Sequence, residues 1–342
     1  MAKWTGSGFA IPGRAAKRLK KNSSLVGRIE AIMKHQIAGD PISGLKWTRK
    51  STTKISVELG KSGISVSAGT VGRLLEELGF RLRANRKDVE SGNRKAPPRR
   101  VRNQQFEKIN RLRDDFQRRN LPTISVDTKK KEMIGNFKNA GVAWGKKPIL
   151  VNDHDFIVDA QGIGIPYGVF DPRRNTGLVC VGNSSDTPRF AVSSIATWWE
   201  SYGMKQYPGA DELLILADCG GSNGYRSHAW KYWLSKLLGE KHGVTVKVCH
   251  YPPGASKWNP IEHRMFAQIS RNWAGQPLES YETMCKYIRT TSTKTGLAIK
   301  AKLDKKIYEK GEKIAKQVMK QLPIVHDSEL PAWSYTITGS KT

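Results

Sequence analysis

Three carboxylates stand at positions from which side chains can converge. Asp127 closes the run TISVD, Asp218 follows the apolar run in LLILADCGGSNG, and Glu262 lies in the first turn of IEHRMFAQISRNW, just behind Pro260. Carboxylates gathered at one spot repel one another unless a hard cation neutralises them. Mg²⁺ and Mn²⁺ prefer oxygen ligands, and Mg²⁺ keeps coordination positions for water and phosphate oxygens. Two such ions about 3.5 to 4 Å apart activate an attacking oxygen and stabilise a leaving one in phosphodiester chemistry. Each residue alone also has an ordinary role. Asp127 could cap a turn, Asp218 could begin a glycine-rich turn, and Glu262 could complement a helix N-terminus.

The neighbours of these residues suit a nucleic-acid substrate. Lys129, Lys130 and Lys131 follow Asp127, and Lys257 and Trp258 precede Glu262. Lysines beside a metal centre hold backbone phosphates. Trp258 has two readings, stacking on an unpaired base and packing in the core. The run GGSNG at 220–224 lacks the Lys-Ser/Thr ending of a nucleotide-binding loop, so it reads as a nest for a DNA phosphate or a simple turn, with Asn223 in support. Asp153, His154, Asp155 and Asp159 form an acidic cluster that reads as a solvated turn or a second metal site. His250 and His263 fall near the proposed centre, where a histidine contacts phosphate, orders a carboxylate or packs. His263, next to Glu262, counts only as support.

The elements that must carry these residues follow from periodicity. TISVD, IPYGVFD and GLVCVGN read as three neighbouring strands, the last two separated by the turn-like PRRNT. A helix from Thr187 comes next, then ELLILAD, an apolar run of the kind buried on both faces. The helix HAWKYWLSKLLGEKH leads to VTVKVCHYP, a fifth strand, and Pro260 opens the last helix at a position that proline tolerates. This is the order of an RNase H-like core, an α/β fold with a mixed five-stranded sheet and flanking helices. Strands one and four are neighbours there, so Asp127 and Asp218 meet, and a helix packed nearby adds Glu262.

Of 342 residues, 58 are Lys or Arg and 30 are Asp or Glu, leaving a net charge of +28. Such a surplus concentrates polyanions, with nucleic acid expected before an anionic membrane surface. Residues 1–120 hold 28 basic and 10 acidic side chains, so the front third is the electrostatic footprint. Within it STTKISVEL and SAGTVGRLLEEL flank a glycine turn. They outline a helix-turn-helix whose second helix exposes Ser67, Thr70 and Arg73 to DNA, although a plain helix pair would show the same pattern.

The expected organisation is a flexible basic N-terminal arm over 1–38, a helix-turn-helix region over 39–83 and a basic linker over 84–102. A connecting helix over 103–122, the catalytic core over 123–280 and a helical and aromatic C-terminal extension over 281–342 complete it. Phe106, Ile109, Leu112 and Phe116 share one stripe of the connecting helix. Hydrophobic residues make up 38% of the chain, too many for a disordered one, yet no run of eighteen apolar residues exists to cross a bilayer. Cys180, Cys219, Cys249 and Cys285 lack CxxC pairing, which favours neither a zinc knuckle nor a disulfide framework and fits a reducing, cytoplasmic setting.

Several phrases occur together in a fixed order: SVDTKKKE, NFKN, VNDHDF, IPYGV, ADCGGSNGYR, PPGASKWNPIEHR and NW, preceded by LKWTRKS and TVGRLLEELGF. From about Gly39 to Ile337 the chain resembles the Rhodopirellula-type DDE transposases of bacterial insertion sequences. The resemblance implies that Asp127, Asp218 and Glu262 are the metal-binding catalytic triad, using Mg²⁺ or Mn²⁺ as two ions. It further implies double-stranded DNA partners, the element's terminal repeats and the target, engaged by a homodimer or larger assembly near the bacterial nucleoid with no membrane partner. Water would attack a phosphodiester at the element end, and the 3′-OH so exposed would attack target DNA. Two rivals stand beside this reading: a nuclease that stops after hydrolysis, and a DNA-binding regulator whose core has lost catalysis.

Overall fold

Serine side chains start both helices of the proposed DNA reader. In the computed structural model, which describes residues 23–34, 37–39, 46–48, 51–80, 97–255 and 258–340, Ser51 Oγ accepts the Lys54 N–H and Ser67 Oγ the Thr70 N–H, each at 3.2 Å. These N-caps open α2 (Thr52–Lys61) and α3 (Ala68–Glu77), and α1 (Ser23–Lys34) precedes them. Gly63 takes φ +77° between α2 and α3, a conformation that favours glycine. Ile29, Ile55, Leu59, Val71, Leu74 and Leu75 form one buried cluster. Residues 23–34 are therefore not part of a flexible arm, because the apolar face that carries Ile29 is buried with the other two helices. Two short strands, β1 (Ile37–Gly39) and β2 (Lys46–Thr48), pair antiparallel. The arm before residue 23 and the linker segment 81–96 lie outside the described residues.

The chain divides into two units, residues 1–89 and 90–342. The second begins with α4 (Arg99–Arg118) behind Pro98. The expected linker thus ends sooner than residue 102, since arginines sustain a helix once prolines no longer interrupt it. The stripe of α4 buries Ile109 and Phe116 against Leu214, Leu216, Cys249 and Tyr251 of the sheet region, with Phe106 and Leu112 partly covered.

The sheet is built from β3 (Thr123–Thr128), β4 (Glu132–Ile134), β5 (Gly162–Asp171), β6 (Thr176–Gly182), β7 (Glu212–Ala217), β8 (Thr245–His250), β9 (Ala298–Asp304), β10 (Ile324–His326) and β11 (Ser334–Ile337). Its order is β10-β11-β8-β7-β3-β5-β6-β9, with β4 attached to β5. The inner five, β6-β5-β3-β7-β8, have β5 antiparallel to both neighbours and β3, β7 and β8 mutually parallel. This is the RNase H-like arrangement.

Both faces are covered. On one, α5 (Pro188–Trp198) and α6 (His228–Leu234) pack against Ile124, Val126, Leu213 and Ile215. On the other, a π-helical turn, Glu262–Phe266, runs into α7 (Ala267–Asn272) and, with α8 (Tyr281–Thr290), covers Phe170, Val179 and Val181. Among the described residues no helix is long and apolar enough to cross a membrane.

The C-terminal segment departs from its expected helical character. KAKLD belongs to β9, parallel to β6, and within PAWSYTI lies β11, antiparallel to β8; only α9 (Lys316–Gln321) is helical between them. The density of Lys and Glu resembles a helix surface. In β9, however, Ile299, Ala301 and Leu303 alternate with lysines, and this period of two fits a strand packed on one face.

Candidate active site

Strand register brings the two aspartates together. β3 and β7 run parallel with Ser125 opposite Leu216, and alternate residues share a face. Asp127 and Asp218, each two residues further on, therefore emerge side by side on one face of the sheet's edge. Asp127 is 8% exposed and accepts the Thr128 N–H at 2.7 Å.

Glu262 is delivered by a polar staple. Ser125 Oγ accepts the Ile261 N–H at 3.0 Å and donates to Asn259 Oδ1, while Asn259 Nδ2 donates to the Val126 carbonyl at 3.3 Å. Gly168 of β5 lies opposite Asp127, and a Cβ there would fall 2.6 Å from the Phe266 ring. Its absence lets the π-helical turn lie against the sheet, and the Glu262 carboxyl shares a hydrogen bond with that of Asp127.

Asp218 is oriented by the loop that follows it. Asn223 Nδ2 donates to its Oδ1 at 3.4 Å, and the Gly220 N–H also reaches the carboxyl. The buried Tyr167 hydroxyl donates to Asn223 Oδ1 at 2.7 Å, which fixes the way the amide points.

The electrostatics follow from this crowding. Burial, then the neighbouring Asp218 and Glu262 charges, push the Asp127 carboxyl up to about 9. Burial also raises Asp218, to about 6, against the opposing bonds from Asn223 and Gly220. Such a set takes up positive charge, as protons or as a hard divalent cation, and all its donors are oxygens. Among the described residues no group of three or more acidic, His or Cys side chains is arranged, as the chain stands, to hold a metal ion. Asp127 and Glu262 instead bond to each other.

A cleft of about 420 Å³ opens beside Asp127 and Asp218, and a fourth carboxylate, Asp186, lines it. Asp186 accepts from Thr128 Oγ1 at 3.2 Å and pairs with Lys131 Nζ at 3.4 Å. Sequence reasoning overlooked it because it stands one residue before the cap of α5, where an acidic side chain has a local explanation. Ser125 and Asn259 were missed as well. The usable signal was that Ser125 sits two residues before Asp127, hence on the same strand face.

The remaining candidates separate. Lys129 is buried over the Trp273 ring, 4.4 Å from its centroid and 3.3 Å from Glu132, so its ammonium is engaged within the protein rather than offered to backbone phosphates. Burial holds its pKa below the ordinary lysine range. Lys130 is largely exposed, and Lys131 is half exposed beside Asp186. Lys257 lies outside the described residues. Trp258 is 58% exposed and edge-on to Phe106, so it is not a core tryptophan. His263 is exposed on its helix and does not line the cleft. Asp153, His154, Asp155 and Asp159 are all exposed.

His250 is buried with Nδ1 2.7 Å from the Asp218 carbonyl oxygen, and burial lowers its pKa to about 4. In the first unit Ser67, Thr70 and Arg73 form one hydrogen-bonded group at the start of α3. Ser67 Oγ lies 3.0 Å from Thr70 Oγ1, which accepts from Arg73 at 3.2 Å.

Comparison with known proteins gives this geometry a family. A Mos1 transposase paired-end complex with the left transposon end overlays with a TM-score of 0.43 at 11% identity, over 82% of this chain and 80% of that one. The Mos1 strand transfer complex gives 0.43 at 13%, over 84% and 72%. A mariner Mos1 paired end complex with Mg gives 0.42 at 12%, over 84% and 73%. These likenesses are too distant to assign residue roles. A search of curated proteins finds no match. The family model described as Rhodopirellula transposase DDE domain, however, matches residues 28–339. With nearly the whole chain matched, the protein belongs to that family: it is a DDE transposase, a divalent-metal-dependent enzyme that cuts and joins DNA strands.

Proposed function

We propose that Asp127, Asp218 and Glu262 are the metal-binding catalytic residues of this transposase, with Mg²⁺ as the usual ion and two ions per site. The observation that carries the reading is the meeting of three carboxyls from three separate elements, where burial and two neighbouring anions raise Asp127 to about 9. When bound, the ions would supply Lewis-acid activation of the attacking oxygen and stabilisation of the leaving one. The chain's own residues set the geometry. The Ser125–Asn259 staple holds the Glu262 turn on β3, and Asn223 orients the Asp218 carboxyl. Lys130 and Lys131, at the mouth of the cleft, suit backbone phosphates. Hydrolysis at the element end frees a 3′-OH that attacks target DNA. Ser67, Thr70 and Arg73 read the terminal repeats, and the two ends of one element call for a homodimer or larger assembly.

The test uses duplex DNA copied from the terminal repeats flanking the gene. With Mg²⁺ the wild type should cut it and should join pre-cut ends to target, an outcome a nuclease would not give. Asp127→Asn, Asp218→Asn and Glu262→Gln should bind the duplex but neither cut nor join it. Near-normal cutting by any one of them removes that residue from the site.

A further inference from the structure

The C-terminal strand reaches Asp218 through a chain of buried hydrogen bonds. Trp230 Nε1 donates to the Tyr335 hydroxyl at 2.8 Å, that hydroxyl lies 3.1 Å from His250 Nε2, and His250 Nδ1 lies 2.7 Å from the Asp218 carbonyl oxygen. Trp230, Tyr335 and His250 are each 2% exposed or less.

Only one arrangement of protons satisfies every group. An indole nitrogen can only donate, and a carbonyl oxygen can only accept. His250 Nδ1 must therefore carry a hydrogen. With the ring neutral, Nε2 is then an acceptor, and the single Tyr335 hydroxyl hydrogen points to it while the Tyr335 oxygen accepts from Trp230. The opposite tautomer would set a bare Nδ1 lone pair against the Asp218 oxygen and leave the Tyr335 hydrogen without a partner, a costly state in a buried site. A doubly protonated ring would likewise turn a donor toward Tyr335 and leave the hydroxyl hydrogen without a partner.

The carbonyl so held lies at a point of change. Register pairs β7 with β8 as far as Ala217 and His250, and the Tyr251 N–H closes on the Ala217 carbonyl at 2.8 Å. Asp218 is the first residue beyond that ladder, and its carbonyl is taken by the His250 side chain.

We infer that Tyr335 and His250 are positioning residues for transposition: a one-way relay from Trp230 through Tyr335 and His250 pins the main chain of Asp218 and so fixes where its carboxylate meets the metal. The inference rests on the reading of Asp218 as a metal ligand. It gives the aromatic C-terminal segment a part in catalysis although it lies far along the chain from the triad.

Two measurements on the full-length protein test it. In ¹⁵N-histidine NMR, His250 of the wild type should show the neutral Nδ1–H tautomer; an Nε2–H ring overturns the relay outright. In an Mg²⁺ titration of end cutting, Tyr335→Phe keeps the ring but takes away the hydrogen given to His250 Nε2, so that the Asp218 carbonyl alone holds the imidazole in place. It should raise the half-maximal Mg²⁺ concentration about tenfold, with end-DNA affinity unchanged.

His250→Asn retains an N–H donor for Asp218 without needing Tyr335, so adding Tyr335→Phe to it should cost nothing more. An unchanged Mg²⁺ midpoint in Tyr335→Phe, or an equal loss in the His250→Asn background, refutes the relay. Should Tyr335→Phe not fold, the wild-type tautomer still decides. Asp218→Asn separates the two levels. If it cuts normally, the ligand reading fails; if it is inactive while His250 is an Nε2–H ring, only the relay fails.

Discussion

The helix-turn-helix unit and the sheet unit put polar groups to opposite uses. At the start of α3, Ser67 and Arg73 are exposed and bond to Thr70 above a small apolar core of six buried side chains. At the ends of β3 and β7 the carboxyls are drawn inward and raised in pKa by burial and by one another. Under the proposed function the first unit would meet DNA through donors that protrude into a groove, which suits polar groups kept on the surface over a core only large enough to fix the helix. A metal centre needs charges concentrated where water is scarce, and that demands a scaffold able to bear their repulsion. The larger sheet, covered on both faces, provides it.

The largest expected effect falls on the buried side of this contrast. Asp127→Asn should reduce end cutting by about a thousandfold or more, the several kcal/mol of transition-state stabilisation that metal ligation supplies, while end binding stays within a factor of two or so. A single-turnover cleavage assay beside a binding titration would show it, and parallel losses in both would erase the division of labour.

A second effect concerns stability against pH without metal. Asp127 rises from its ordinary 3.8 to about 9, so between these values the folded chain holds a proton that the unfolded chain has released. Its contribution to stability is full below pH 4 or so and is lost as pH climbs toward 9. Asp218 adds the same trend over the narrower span up to about 6. The groups facing Asp127 are the Asp218 and Glu262 carboxyls and the Thr128 N–H. In EDTA the melting temperature of the wild type should fall more steeply from pH 5 to 9 than that of Asp127→Asn, and Mg²⁺ should restore more at higher pH. Parallel curves for the two proteins would contradict the raised pKa.

Smaller effects belong to the exposed reader. Arg73→Ala should cost about 1 to 3 kcal/mol in discrimination between end DNA and random duplex if its guanidinium reads a base. A uniform loss on both DNAs would reassign it to phosphate. Ser67→Ala should remove about 1 kcal/mol of stability through the lost N-cap. Ser67→Asp separates its two roles, because aspartate caps equally well but repels phosphate. It should keep the melting temperature and weaken end binding, most visibly at low salt.

Much of this arrangement is legible in local pattern. Alternation in TISVD, the unbroken apolar run in ELLILAD, the caps at Ser51 and Ser67, and Pro260 ahead of IEHRMF mark the inner strands and the triad-bearing elements, because these patterns act over a few residues. The helix over 23–34 was hidden by basic residues around a short apolar face, and β9 by lysines that resemble a helix surface. Asp186 was missed because a carboxylate beside a helix cap has a local explanation, and the choice between the two readings of Trp258 depended on what folds over it.

Local sequence thus specified the types of the inner elements, their strand faces and the three carboxyls. Their convergence was a matter of pairing. Which strand lies beside β8, and therefore that Tyr335 meets His250 and His250 meets Asp218, depends on contacts between residues far apart in the chain. Periodicity says which face a side chain occupies but not which partner will face it. That choice is made when distant strands close on one another and every buried donor must find an acceptor.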